Sequence, residues 1–226
     1  MSRTRIIVVA LLTALVASVL LLVAPAQAVL TTRTLSISAT PAAALGSTNV
    51  KFTGKLSKSP KGSNVKLQRK VGTSWVTVKT VKTVGPGGAY AATVARPAKA
   101  GYYVYRTFAP KFEGLKAAVS KAVTIASLRK TKFVDIGGQD FALQSTSTGD
   151  PSVAIGRVAA PLTAGALVSV QRRIAGVWKT QGSISLPSDG LFQVPFPNLQ
   201  PGDYRVVVGR KGLNAAAVSR VLFIPA

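Results

Sequence analysis

The side chains with chemistry to offer in this sequence are basic and aromatic. Residues 65–71 read Val-Lys-Leu-Gln-Arg-Lys-Val with Trp75 after them, and residues 168–174 read Val-Ser-Val-Gln-Arg-Arg-Ile with Trp178 at the same spacing. Lysine and arginine contact anions, and an indole can stack on a sugar ring or a base. Catalysis has far less to work with. The chain holds no His and no Cys. Thiolate nucleophiles, zinc fingers, iron–sulfur clusters, ordinary haem sites and Ser-His-Asp triads are therefore excluded, as are disulfides. Six acidic residues scattered over 226 do not furnish a carboxylate cage for Ca²⁺ or Mg²⁺. Asp135 and Asp140 lie in a linker and make a poor acid–base pair. Residues 85–88, Gly-Pro-Gly-Gly, form a turn that opens no helix, so they are not a phosphate loop. No enzyme activity, cofactor or metal is expected.

The charge is one-sided. Lys and Arg number 29 against 6 Asp and Glu, a net +23. Residues 30–125 carry 16 basic side chains and one acid, Glu113; residues 141–226 carry eight and three, the acids being Asp150, Asp189 and Asp203. A field of one sign draws polyanions.

The N-terminus reads as a targeting segment. Arg3 and Arg5 precede an apolar run from residue 6 to 23, and Pro25-Ala-Gln-Ala28 supplies a helix breaker and a small-residue cleavage site. This order predicts a signal peptide over residues 1–28, cleaved before Val29. The rival is an uncleaved anchor, since the run is long enough to span a bilayer. With cleavage, the protein is expected to be secreted, extracellular or held in the cell envelope, with no membrane attachment.

The elements that must position the basic and aromatic residues repeat. Residues 65–75 align on 168–178 at an offset of 103 without a gap. Gly54 aligns with Gly156, Gly88 with Gly190, Tyr90 with Phe192, Gly101 with Gly202, Tyr103 with Tyr204, Ser120 with Ser219 and Ile125 with Ile224. Within each copy apolar residues alternate with polar ones, and Gly/Pro turns recur at short intervals, the pattern of half-buried strands. Nothing after the signal holds a helical period. The prediction is an all-β protein with two tandem immunoglobulin-like β-sandwich domains, residues 29–127 and 128–226, after the signal peptide.

The strings Phe52-Thr-Gly-Lys-Leu56, Leu67-Gln-Arg69, Trp75, Gly88 to Tyr90 and Tyr103-Val-Tyr-Arg106 resemble the bacterial Ig-like repeats of secreted actinobacterial proteins. The second half keeps Gly156, Val170-Gln-Arg172, Trp178 and Gly202 to Tyr204, and departs at residues 154–158 and at Val206, placed against Tyr105. The resemblance implies a sandwich serving as spacer, adhesion or ligand-binding module. Fold alone does not select among these tasks.

Inward Val65 and Leu67 put Lys66, Gln68 and Lys70 on the opposite face, and inward Tyr103 and Tyr105 put Arg106 there too. Lys66, Lys70 and Arg106 are thus the candidate polyanion-binding residues, with anionic cell-wall or extracellular polymers as partners. Trp75 and Trp178 have two readings: candidate stacking platforms, or core residues packed between sheets. The core is preferred, because recurrence at the same place in both copies fits a shared core need. Alternation through Thr180, Gly182 and Ile184 puts Trp178 inward, whereas in the first copy Val76 and Val78 compete for that face and the register is open without a bulge. Tyr103 and Tyr204 are expected to form tyrosine corners. The alternatives to a basic envelope protein are a carbohydrate-binding module pair, which needs exposed aromatics, and an extracellular nucleic-acid binder, for which charge is present but no interleaved basic–aromatic motif.

Overall fold

The computed structural model describes residues 30–85, 87–145, 151–161 and 164–226, and the expected signal segment lies outside them. In the first unit, alternating apolar residues form β1 (Ser38–Thr40), β2 (Ala43–Leu45), β3 (Asn49–Lys55), β4 (Asn64–Val71), β5 (Ser74–Lys82), β6 (Ala89–Ala95), β7 (Gly101–Ala109), β8 (Ala118–Val119) and β9 (Val123–Leu128). The second unit has β10 (Phe141–Gln144), β11 (Ser152–Arg157), β12 (Leu167–Ile174), β13 (Val177–Ser185), β14 (Leu191–Phe196), β15 (Gly202–Val208), β16 (Ala217–Val218) and β17 (Leu222–Ile224). No helix stands among the described residues, so none there is long and apolar enough to cross a membrane.

Each unit is a sandwich of two sheets. The first pairs β1-β3-β6 against β2-β9-β7-β4-β5, with β8 beside β7. The second pairs β10-β11-β14 against β13-β12-β15-β16, with β17 beside β15. All partners are antiparallel except β2, which runs parallel to β9. No strand is shared between the units. The chain is thus two tandem immunoglobulin-like β-sandwiches.

The cores lie between the sheets. Phe52 on β3 meets Tyr105 on β7 at 4.8 Å between ring centroids, among Val50, Leu67 and Ile125. Phe196 on β14 meets Tyr204 on β15 at 5.8 Å, among Val168, Val170, Val194 and Val206. In each unit a ring also lies over a glycine on the neighbouring strand: Tyr90 is opposite Gly54 and Phe192 opposite Gly156. Any side chain at either glycine would occupy the space of that ring.

Strand register changes part of the internal alignment. Gln68 pairs with Arg106 and Arg69 with Tyr105; Gln171 pairs with Arg205 and Arg172 with Tyr204. Tyr204 is therefore the counterpart of Tyr105, not of Tyr103, and Gly101 and Gly202 are not counterparts. Val206 stands where Thr107 does. Each of those two amides donates to a serine Oγ, Thr107 to Ser120 at 2.9 Å and Val206 to Ser219 at 2.8 Å. Phe192 and Tyr204 are 12 positions apart where Tyr90 and Tyr105 are 15 apart, and matching Gly-x-Tyr strings slid the alignment. Loop length costs little, whereas a buried face fixes register.

The tyrosine corner is formed twice, from non-equivalent positions. The Tyr103 hydroxyl donates to Lys99 O at 2.8 Å and the Tyr204 hydroxyl to Gln200 O at 2.9 Å, each four residues back.

The junction is short. After β9, Arg129 N donates to Leu213 O and Ala215 N to Arg129 O. Lys132 and Val134 already bond the end of β11 through Ala159 N and Arg157 O. Residues 135–140 then turn back on themselves, with Ile136 and Gln139 bonding each other, before β10 begins; in the first unit only two residues separate Leu35 from β1. Asp135 and Asp140 on this turn both meet Arg220, at 2.8 and 3.1 Å.

Candidate anion-contact face

The candidate basic residues stand on the outer face of the larger sheet of the first unit. Val65 and Leu67 are buried, so alternation turns Lys66, Gln68 and Lys70 outward on β4. On β7, buried Tyr105 and Thr107 leave Arg106 and Phe108 on the same outer side. Register sets Lys66 beside Phe108, Gln68 beside Arg106, and Lys70 beside Trp75 on β5. Lys66, Lys70 and Arg106 therefore share one face. No acidic residue lies on these three strands.

The preference for core tryptophans is overturned. Trp75 and Trp178 are half-buried on the outer faces, and the largest buried side chains are Tyr105 and Tyr204, each 1% exposed. A β-bulge is the reason. On β13, Val170 pairs with Gly182 but Gln171 with Thr180, leaving Gln181 as an extra residue. On β5, Leu67 pairs with Lys79 but Gln68 with Thr77, leaving Val78 extra. One extra residue reverses which side chains face inward. Ile184 thus faces the core while Trp178 faces out, although an even spacing separates them.

Each indole is covered on one side by an arginine. The Arg106 guanidinium carbon lies 4.2 Å from the Trp75 ring centroid, and Arg106 Nε donates to Gln68 Oε1 at 2.9 Å. In the second unit Arg205 lies 4.3 Å from the Trp178 ring, and its Nε donates to Gln171 Oε1 at 2.8 Å. These are cation–π contacts. Three strands supply each cluster: β4, β5 and β7, or β12, β13 and β15. Neither ring is a bare stacking platform.

Gln68, Gln171 and Arg205 escaped the sequence reading as site residues. Arg205 was hidden by the slid alignment, which set it against Val104. The Ser120–Ser219 and Ile125–Ile224 pairs carried the offset that matches Arg106 to Arg205.

The two faces differ in charge. Ser169 stands where Lys66 does and bonds Ser183 at 2.8 Å. Arg173 takes the place of Lys70, and Asp203 that of Val104; the two approach at 3.9 Å. The ion pairs among the described residues all lie at the junction or in the second unit.

Not all the first unit's basic residues belong to its surface. Arg33 is 5% exposed and donates to the carbonyls of Lys116 and Pro110; Arg96 is 2% exposed and donates to those of Ala126, Ala42 and Pro41. Burial pulls both guanidinium pKa values down from the ordinary arginine value. They tie strand ends together with no carboxylate partner among the described residues.

No protein-family model matches the chain and no curated protein matches it. Among solved structures it is similar to a C-terminal fragment of intimin in complex with the intimin-binding domain of the translocated intimin receptor, at 14% identity over 84% of this chain and 63% of that one, with a TM-score of 0.48. It is similar to the tetra-tandem repeat in the extending region of a large adhesion protein, at 16% identity and a TM-score of 0.35; 85% of this chain matches about half, 49%, of that one. The D0–D1 domain of intimin gives 15% identity over 85% and 97% of the two chains, with a TM-score of 0.32. These values are too low for any role of theirs to pass to this chain.

Proposed function

We propose that this chain is a secreted, non-enzymatic interaction module of the cell envelope that contacts anionic polymers through the outer face of its first sandwich. The observation that carries the proposal is the gathering of Lys66, Lys70 and Arg106 on a face whose strands hold no acid. An unbalanced positive face over a low-dielectric sheet concentrates polyanions near it. The second face, with Asp203 beside Arg173, contributes less. The signal segment at residues 1–28 supports export, with a mature N-terminus at Val29, and N-terminal sequencing of secreted protein tests that part.

The test of binding is retention of the mature chain on an immobilised anionic polymer across a salt series. Polyanion binding releases counterions, so affinity falls steeply with salt, with a log–log slope of roughly −0.7 to −0.9 per phosphate neutralised on nucleic acids. Reversing Lys66, Lys70 and Arg106 to Glu weakens retention and flattens the slope. Absence of retention at low salt overturns the proposal. So does binding that ignores salt and disappears on replacing Trp75, which instead identifies a sugar-stacking site.

A further inference from the structure

We infer that Arg106 and Arg205 are two preorganised oxyanion receptors, one per sandwich, each built to take a carboxylate or phosphate group of the bound polymer. The inference rests on the proposed anionic-polymer binding and assigns it to two specific guanidinium groups.

Free arginine side chains lose rotamer entropy when they bind an anion. These two are already held at two points each, by a ring and by a glutamine. The Trp75 and Trp178 rings pack against the guanidinium groups, whose central carbons lie 4.2 and 4.3 Å from the ring centroids. Gln68 and Gln171 occupy Nε, at 2.9 and 2.8 Å. Gln171 is itself steadied by Thr180, whose Oγ1 accepts from its amide at 3.4 Å. What remains on each arginine is the pair of terminal Nη groups. Neither pair makes a hydrogen bond within the described residues. Among the described residues the buried side-chain nitrogens without a partner are Nε of Arg96 and of Arg172; the Nη atoms of Arg106 and Arg205 are not among them, and both arginines are half-buried rather than buried. Two parallel N–H donors in one guanidinium plane match the two oxygens of a carboxylate or phosphate.

A purely structural stack would need no glutamine. Gln68 and Gln171 each turn an acceptor to Nε, and the same three side chains recur on the same three strands of both sandwiches. The surroundings grade the receptors. Lys66 and Lys70 flank Arg106 on its face, while Arg205 shares its face with Arg173 and with Asp203, which competes as a resident carboxylate. Arg106 therefore binds more tightly than Arg205, and removing the charge of Asp203 narrows the gap.

The experiment uses the full mature chain with two probes, polygalacturonate for carboxylate and poly(glycerol phosphate) for phosphate. The only two tryptophans of the chain sit at the receptors, so fluorescence reports occupancy, and Trp178→Phe isolates Trp75. Arg106→Lys keeps the charge but loses the fork. It is expected to weaken binding by about tenfold or more, the scale of a charge-assisted hydrogen-bond pair. Arg106→Lys with Arg205→Lys weakens it further, and Asp203→Asn strengthens the second site. Far-ultraviolet circular dichroism confirms that the variants are folded. The better probe identifies the oxyanion. If the double lysine variant binds as tightly as the parent while Lys66→Glu with Lys70→Glu weakens binding, the receptors are refuted and the general electrostatic proposal stands. If the parent binds neither probe at low salt, both are refuted. If Arg205→Lys and Asp203→Asn change nothing while Arg106→Lys does, the second receptor is refuted.

Discussion

A methyl group added at Gly156 would stand 2.9 Å from Cε1 of Phe192 and closer still to its Cζ. The two residues face each other across β11 and β14. The ring lies where a side chain on the neighbouring strand would otherwise project, so the glycine and the aromatic form one packing unit. Gly54 and Tyr90 repeat it.

Gly156→Ala is therefore expected to destabilise the second sandwich by about 1–3 kcal/mol, the scale of overpacking in a filled core. Urea denaturation followed by Trp178 fluorescence measures it. An alanine variant as stable as the parent would show that the ring relocates freely.

Ser219→Ala removes the acceptor of the buried Val206 amide. An amide left unpaired in the interior costs about 1–3 kcal/mol. Ser120→Ala leaves the Thr107 amide in the same position and should cost a similar amount. Equal stability of either variant and the parent in thermal unfolding would mean that water replaces the serine.

Tyr204→Phe loses a hydroxyl that donates to Gln200 O and accepts from Gln200 N. The expected loss is about 1 kcal/mol. Tyr103→Phe should cost less, because the bond it removes is exposed and water can take its place. The reverse ranking would contradict the assignment of the two corners.

Asp135 meets Arg220 at 2.8 Å and accepts from Gly138 N, and both hold its carboxyl below the ordinary aspartate value. A carboxylate with a depressed pKa in the fold stabilises it above its unfolded pKa. That contribution is lost as pH falls through the folded value. An NMR titration should place the midpoint of Asp135 below that of a free aspartate, and Arg220→Ala should raise it. A midpoint indifferent to Arg220 would remove the ion pair from solution.

The two sandwiches share no strand, and each closes its own core. Residues 29–128 alone should therefore melt cooperatively with a β-type spectrum. A fragment that stays unfolded would mean that the bonds from Arg129 to Leu213 and Ala215 are needed for the first core.

Sequence alone determined the all-β class, the two tandem sandwiches and the outward turn of Lys66, Lys70 and Arg106. These follow from alternation and repetition, which are local properties of the chain. The outer position of Trp75 and Trp178 was decided by the bulges at Val78 and Gln181, because one unpaired residue reverses the phase of alternation and leaves no composition signal. The equivalence of Arg205 with Arg106, and of Tyr204 with Tyr105, was decided by pairing across β12 and β15, after a run from Phe192 that is three residues shorter than the one from Tyr90. The surface charge was also a tertiary matter: Arg33 and Arg96 count among the first unit's basic residues, yet they are buried against backbone carbonyls. A count of charges cannot see which of them the fold removes from water. Burial, register and stacking depend on residues far apart in the chain, and only the packed sheets bring those together.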